Sequence, residues 1–523
     1  MLPSDRPLHA FDAILRGLLG LLALALAALA LRATAVVFHT PLTEDAFYAL
    51  AVARNVAAGV GITIDGVQPT NGFQPLFTFL QAACYWLAGG EEALAARLVL
   101  ALSWLVWVAT TLLVAAVARD AAPGTGAECR RRGLVAAILY GGGFLTMMHH
   151  FNGLETGLVV CGYALLWRLH QLGVDQHRFG LPLVGGLLGL LVLTRIDAAV
   201  FVAVYCLALL WRRCRGEGGW RRQWPGALRA AVLVGAIAVL VSSPWWLFNI
   251  LTFGSPMPTS GTAQQEWALD ERRVRWGIWA LGVAAMPSLW LGRLDEVFGD
   301  GIALSILRAV VASWLIVATV YAIRRAPPPL EEARTRATLS FAGLMAISVG
   351  VLTAYYVFSF IAFWFYYRYL FPVAILAAVG IAWVVTPLIE RQSRAAAVIA
   401  VALCLPTLAS ALLAQTGRTL HVETVYWDQM ALIDAHVAPD VPVAAGQAGT
   451  LGYFRAATVN VDGKVNREAI RHQDAMWIWL DQQGIRWFCD WRFYVEKYLG
   501  RDPGLHGWQK VATLGPWELW HRP

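Results

Sequence analysis

Charged side chains are scarce in this chain. Asp, Glu, Lys and Arg make up 14% of its 523 residues against 58% hydrophobic, and the mean hydropathy is +0.56. That balance excludes a soluble globular protein of this length and points to a polytopic membrane protein. Cysteine is sparse too: seven residues, most inside apolar stretches, without a CxxC or paired spacing. Neither a disulfide framework nor a zinc site is expected. No internal repeat of the kind that marks secondary transporters is visible, and no low-complexity linker interrupts the chain. The prolines at 327–329 only mark a loop. The first apolar run lacks a small-residue cleavage site and is long enough to span, which predicts a retained first helix. The net charge of +7 requires no nucleic acid, because the arginines cluster in short loops between apolar segments, where the positive-inside rule puts them.

The basic clusters set the topology. Arg6 and Arg16 precede a first span at about 12–38, so the N-terminus is expected in the cytoplasm. A second span at about 93–118 returns to Arg119, Arg130, Arg131 and Arg132 on the inner side. Further segments climb to the HHFNGLET turn outside and descend to Arg168 and Arg178. Between Arg178 and Arg212 lie about thirty residues that must go out and come back, roughly 21 Å per arm against a hydrocarbon core of about 30 Å. The tip of that hairpin, TRID at 194–197, therefore sits below the outer surface. It implies either an aqueous cavity or an Arg195–Asp197 ion pair that orders the tip. Spans follow at about 229–249, 301–323, 336–358, 369–388 and 395–414, with an outer loop running from the first of these to about Asp300. The total is about eleven membrane segments, N-terminus in and C-terminus out.

From residue 418 the apolar runs shorten, and VPVAAG, TVNVDG, IRWFCDW, KVATLG and WELWHRP read as strands with helical patterns between them. The expected organisation is a transmembrane domain, 1–417, with a first outer loop at 39–92, and an extracytoplasmic α/β domain, 418–523. The tryptophans of that domain, Trp477, Trp479, Trp487, Trp491, Trp508, Trp517 and Trp520, either fill its core or stack on sugars.

The first outer loop carries the most chemistry. Thr43 reads as an N-cap, with Glu44 and Asp45 in the first helical turn, where the helix dipole favours negative charge. At 100° per residue, Glu44, Tyr48 and Asn55 share a stripe with Asp45 at its edge, while Arg54 points away. The stripe is expected to face a substrate. Ionisable groups gather on the outer side: Glu44, Asp45, His149, His150, Glu155, Arg195, Asp197, Arg368 and Lys464. Such a layout suits an enzyme acting on a lipid-anchored phosphate at the interface. Arg195, Arg368, Lys464 and His150 are the candidate phosphate ligands, and Asp45 is the candidate base toward an attacking hydroxyl, with inversion at the anomeric carbon. Tyr48, Asn55, Asn71, Gln74, Glu155, Asp197, Tyr369 and Asn466 are candidate substrate contacts. Glu44 would orient the acceptor or bind a divalent cation; metal stays open.

TEDAFY, ARNVAAGVGITIDGVQPTNGFQPLF, NGLETGL, TRID, PWWLFNILTFGSPMPTSG and YYRYLFP, in this order and followed by GxxGxLGYF and VDGKVN, resemble the bacterial polytopic glycosyltransferases of the GT-C class. The nearest branch is similar to the dolichyl-phosphate-mannose protein mannosyltransferases, with mycobacterial arabinofuranosyltransferases more distant. The resemblance implies an inner-membrane hexosyl- or pentosyltransferase. Such an enzyme moves a sugar from a polyprenyl-monophosphate donor to an extracytoplasmic glycan, lipid or protein, with the catalytic acid residue at Asp45. Glu44 stands where a second Asp is expected, Gln74 where His is, Ile196 where Pro is, and Gln264 where Lys is common. A lipid or glycan transporter or flippase, and a polymerase or ligase using diphosphate-linked glycans, are the alternatives.

Overall fold

The structure, a computed structural model, describes residues 6–215, 220–288, 329–389, 392–418 and 425–523. It is a mostly helical polytopic membrane protein with a C-terminal mixed α/β domain. Five helices are long and apolar enough to span a bilayer, within 8–31, 92–119, 223–253, 333–359 and 393–414. The number rises to seven if two bent pairs each count as one span. The expected span at 301–323 lies outside the described residues. The expected short hairpin is formed by Gly180–Thr194 and Ala199–Cys214, joined at Arg195–Ala198. At 1.5 Å per residue the first arm is about 22 Å long, shorter than the hydrocarbon core. The long loop expected after the span near 229–249 instead contains a helix, Glu271–Ala285. Asp270 starts it by accepting from Arg273 N, and small residues such as Gly277 and Ala280 are buried on one face, features that an apolarity count alone does not weigh.

Both bends serve the same end of the bundle. Gly126–Gly141 and Phe144–Phe151 meet at 65°, where the Gly142 carbonyl, released from the helix, accepts from Thr407 Oγ1 at 2.6 Å. The turn after Phe151 then delivers Glu155. Phe363–Tyr369 and Val373–Ile389 meet at 57° across Pro372, which has no N–H to continue a helix, and this break carries Arg368. At the opposite end the basic residues interlock. Arg131 pairs with Asp12, Arg168 and Arg334 with Asp120, and Arg212 and His170 with Asp175.

The C-terminal domain holds a five-stranded sheet in the order β2-β1-β3-β5-β4. Its strands are β1 (Val443–Ala445), β2 (Thr458–Asn460), β3 (Trp487–Trp491), β4 (Gln509–Leu514) and β5 (Trp517–His521). β1 runs parallel to β2 and β3, and β5 is antiparallel to β3 and β4. All five fall on the segments read as strands in the sequence. Trp479, Trp508, Trp517 and Trp520 are buried in its core.

This domain is welded to the membrane domain through the first loop. The helix Glu44–Ala57 puts Tyr48 into the sheet's hydrophobic cluster beside Ala448 and Leu451, and Phe47 packs on Trp427, Tyr453 and Phe454. The approach is so close that a methyl group on Gly449 would lie 2.2 Å from the Glu44 carbonyl oxygen, and one on Gly72 1.9 Å from that of Lys464. Gly449→Ala is therefore expected to lower the thermal unfolding midpoint and speed proteolytic release of the C-terminal domain. Gly452→Ala, in the same short helix with only an ordinary 3.8 Å contact, should leave both unchanged. Limited proteolysis of the detergent-solubilised protein reads the difference.

Candidate functional site

The two carboxylates that begin the helix Glu44–Ala57 have separate fates. Glu44 turns into the domain contact. It is buried and accepts from the backbone N–H groups of Gly449 and Thr450 (2.8 Å for Thr450) and from the Thr450 hydroxyl. Burial pushes its carboxyl above the usual range, with the hydrogen bonds from Thr450 and Gly449 opposing. Asp45, one position round the helix, accepts from Arg368 Nη1 at 3.3 Å and Lys464 Nζ at 3.4 Å. Burial alone would raise its carboxyl, but the two cations outweigh burial and hold it below the ordinary value. It stays ionised at neutral pH.

Each cation is anchored from behind. Arg368 Nη2 donates to both Glu155 oxygens at 3.2 and 3.3 Å, and Glu155 is only 3% exposed. Lys464 also pairs with Asp462 at 3.3 Å. Its ammonium is raised well above the usual value, the cost of burial being overcome by Asp45 and Asp462. The loop that bears it is fixed by the membrane domain: Thr70 Oγ1 donates to the Val465 carbonyl and Thr259 Oγ1 to that of Lys464, both at 2.9 Å. Arg195 pairs with Asp197 and donates to the Arg368 and Tyr369 carbonyls at 3.3 and 3.2 Å. It thereby pins the short turn that presents Arg368. The Tyr356 hydroxyl donates to Asp197 at 2.5 Å, and its ring stacks on Tyr369 with centroids 4.5 Å apart.

Asp45, Arg368 and Lys464 form part of a wall shared by two cavities. One, of about 410 Å³, lies among membrane helices and is lined by apolar groups such as Phe73, Phe77, Trp246, Met257 and Leu352, with Glu155, Asp197 and Tyr369 at its polar end. The other, of about 560 Å³, lies beneath the C-terminal domain and is lined by polar and aromatic groups including His149, Gln447, Trp491 and Tyr494. An arrangement of one anionic side chain flanked by two cations, open to one chamber among the membrane helices and another beneath the C-terminal domain, can hold a phosphate on the cations and a hydroxyl on the carboxylate.

Of the residues singled out in the sequence, Asp45, Tyr48, Gln74, Glu155, Asp197, Arg368, Tyr369 and Lys464 line the cavity among the membrane helices. Others are engaged elsewhere. Asn55 donates to the Thr63 and Ile64 carbonyls and shapes the loop. Asn71 binds Asn249 and Thr259 N. Asn466 caps the helix Arg467–Arg471. Glu44 and Tyr48 bond the appended domain and also line a cavity each, so the stripe is shared between the domain contact and the chambers. Arg195 lies behind the cavity wall. His150 bonds Tyr140 at 2.8 Å and lines neither cavity, whereas its neighbour His149 lines the one beneath the C-terminal domain. A helix places adjacent residues about 100° apart, so only one of the two reaches the chamber. Tyr356 and Asp462 were not singled out. A tyrosine pair inside an apolar span, and an Asp two positions before Lys464, are the signals that mark them. Among the described residues no group of three His, Cys, Asp or Glu side chains converges to hold a metal ion.

The fold, that of a multi-pass membrane protein with an appended α/β domain, is similar to those of solved oligosaccharyltransferases and other GT-C-fold structures. The Archaeoglobus fulgidus oligosaccharyltransferase, tethered with an acceptor peptide containing the NVT sequon, matches with a TM-score of 0.54 at 12% identity, covering 97% of this chain and 74% of that one. The oligosaccharyltransferase AglB from the same organism, in complex with an inhibitory peptide and a dolichol-phosphate, matches at 0.50 and 11% identity over 94% and 72%. ArnT from Cupriavidus metallidurans bound to undecaprenyl phosphate matches at 0.48 and 15% identity over 94% and 96%. At these identities the likeness is one of fold. No protein-family model and no curated protein sequence matches the chain.

Arg368→Met leaves the buried Glu155 without a cation and is expected to destabilise the protein by about 3–5 kcal/mol. Adding Glu155→Gln should recover a substantial part of that loss. Unfolding midpoints of the two single variants and the double variant test the coupling.

Proposed function

We propose that this chain is a glycosyltransferase that moves a sugar from a polyprenyl-monophosphate donor to an acceptor on the extracytoplasmic side of a bacterial inner membrane. The observation that carries the reading is the position of Asp45 between Arg368 and Lys464, on the wall where a chamber among the membrane helices meets a second chamber under the appended domain. The prenyl chain lies along the chamber among the membrane helices. Its phosphate exchanges for the carboxylate contacts of Arg368 and Lys464, which stabilise the charge that develops as it leaves. A phosphate leaving group needs that stabilisation rather than a strong general acid, so one carboxylate suffices for transfer with inversion.

In the free protein its two cations keep Asp45 a weak base, and the donor phosphate, by taking their contacts, releases the carboxylate to act. It takes the proton late, once the acceptor hydroxyl has been acidified by bond formation to the anomeric carbon. Arg195 acts through the turn it pins and is a positioning residue. The dolichol-phosphate and peptide bound by one structural neighbour support a lipid-phosphate donor; acceptor and sugar are set by contacts that differ between such proteins. The interlocked arginines at the opposite end of the bundle support an extracytoplasmic site by the positive-inside rule. Charges gathered at one end, rather than near mid-membrane, favour this reading over a transporter.

Asp45→Asn is expected to lower the unfolding midpoint, because Arg368 and Lys464 each lose a partner, and to abolish transfer from a polyprenyl-phosphate sugar even at temperatures where the variant stays folded; retained turnover removes Asp45 from the base role. In Lys464→Met, one of the two cations that depress the Asp45 carboxyl is gone, so its titration moves up. The acid limb of the kcat/KM–pH profile should shift to higher pH relative to wild type, read with the same donor across a pH series.

A further inference from the structure

A sugar in transit has to sit where the two chambers meet, between the phosphate that leaves it and the hydroxyl that attacks it. The residues that line both cavities are Asp45, Leu154, Gln264, Phe365, Arg368 and Lys464. Asp45 is paired with Arg368 and with Lys464, and Leu154 and Phe365 are apolar. Among the described residues Gln264 is therefore the one neutral polar side chain on this seam.

Its backbone is tied down and its amide is free. The Gln264 N–H donates to the Gly261 carbonyl at 3.4 Å, and its carbonyl accepts from the Ile361 N–H at 3.1 Å. The residues that follow continue the attachment, Glu266 N donating to the Ser359 carbonyl and Ala268 N to that of Phe358, both at 3.0 Å. The segment is thereby fastened along the end of the helix Pro329–Ser359, just ahead of the turn that bears Arg368. The residue is half-buried, its side chain bonds no described residue, and neither amide atom is sealed from open space. A fixed backbone with an unused amide has little freedom left to lose when a ligand binds.

The chemistry of the seam selects what can lie there. A primary amide offers two N–H donors and an accepting oxygen, which suits neighbouring sugar hydroxyls, since each of those both donates and accepts. The half-buried ring of Phe365 offers the apolar surface that the C–H face of a sugar ring requires. Among the described residues Arg368 and Lys464 are the cations on the seam, and the phosphate takes both. A carboxylate on the sugar would lie beside Asp45 with no cation of its own, a costly placement in a partly buried site.

We propose that Gln264 reads the hydroxyls of the transferred sugar, packed on Phe365, and that this sugar carries no negative charge. This rests on the phosphate being held by Arg368 and Lys464, as proposed above. Gln264 determines specificity by touching the sugar and leaving the phosphate to the cations. Its loss is felt by the glycosylated donor and not by a sugar-free lipid phosphodiester.

The test uses the full-length purified protein in detergent and reads the ligand concentration that gives half the maximal rise in unfolding midpoint. The probes are farnesyl methyl phosphate, a sugar-free phosphodiester, and the glucosyl, mannosyl, arabinofuranosyl and glucuronosyl phosphodiesters of farnesol. In the wild type the tightest neutral glycoside should act at about fivefold lower concentration than the methyl ester, and the glucuronosyl ester should gain nothing over it. Gln264→Met should raise the concentration needed of that neutral glycoside about fivefold and leave the methyl ester within about twofold. Gln265→Met, at the neighbouring residue that lines neither cavity, should leave both as in the wild type. Equal losses for the glycoside and the methyl ester in Gln264→Met overturn the proposal by moving Gln264 to the phosphate, and so does no loss for either. A wild-type preference for the glucuronosyl ester, or no gain from any neutral sugar, overturns it too; in each of these cases binding of the methyl ester leaves the donor reading intact. A wild-type protein that responds to none of the probes removes the donor reading itself, and this role of Gln264 with it.

Discussion

A carboxylate held between cations from two separate parts of the chain is the constraint on which the remaining architecture depends. Arg368 comes from a break in a membrane helix and Lys464 from a loop of the appended domain, and neither is a near neighbour of Asp45 in sequence. Charges in a low-dielectric setting interact strongly but are costly to bring there unless each has partners. Here the partners alternate: Glu155, Arg368, Asp45, Lys464 and Asp462 form an unbroken series of opposite charges. Every member is compensated, and the chain can close its two domains on an ionised side chain.

That series explains the irregular backbone around it. The 65° and 57° bends and the short hairpin each end at the level of the site, and each delivers one charged group: Glu155 after the first, Arg368 before the second, Asp197 at the hairpin tip. Irregular backbone at membrane depth is tolerated where it lines a cavity. The second function of these breaks is mutual support, since Arg195 at the tip donates to the carbonyls of the turn that bears Arg368. The C-terminal domain is accordingly part of the site rather than an ornament beside it. Its loops supply Lys464 and the roof of the second chamber, and its contact with the first loop consumes Glu44.

Much of this was legible in the sequence because it is carried by local patterns. Apolar run length marks the spans, short strand-like segments with helical patterns between them mark all five strands, and the paired acids before an amphipathic helix mark the loop that bears Asp45. The Arg-x-Asp tip of a hairpin too short to cross announces buried charge. What escaped was orientation about helix axes and the identity of distant partners. Glu44 and Asp45 are equivalent in the sequence, as are His149 and His150. Asn71, Asn55 and Asn466 carry the same chemistry as substrate-binding amides but are used to tie loops together.

The sequence by itself determined that this is a multi-pass helical protein with an α/β appendage and with charge gathered near a few loops, because solvent preference is a property of each residue and its near neighbours. Only the tertiary structure decided which acid is held by backbone N–H groups of the appended domain and which by two cations at the cavity wall. That depends on which face of the helix Glu44–Ala57 the appended domain covers, and the covering residues, Gly449 and Thr450, lie some four hundred positions along the chain. The same contact decided that two chambers rather than one meet at Asp45, since the roof of the second is built from the far end of the polypeptide.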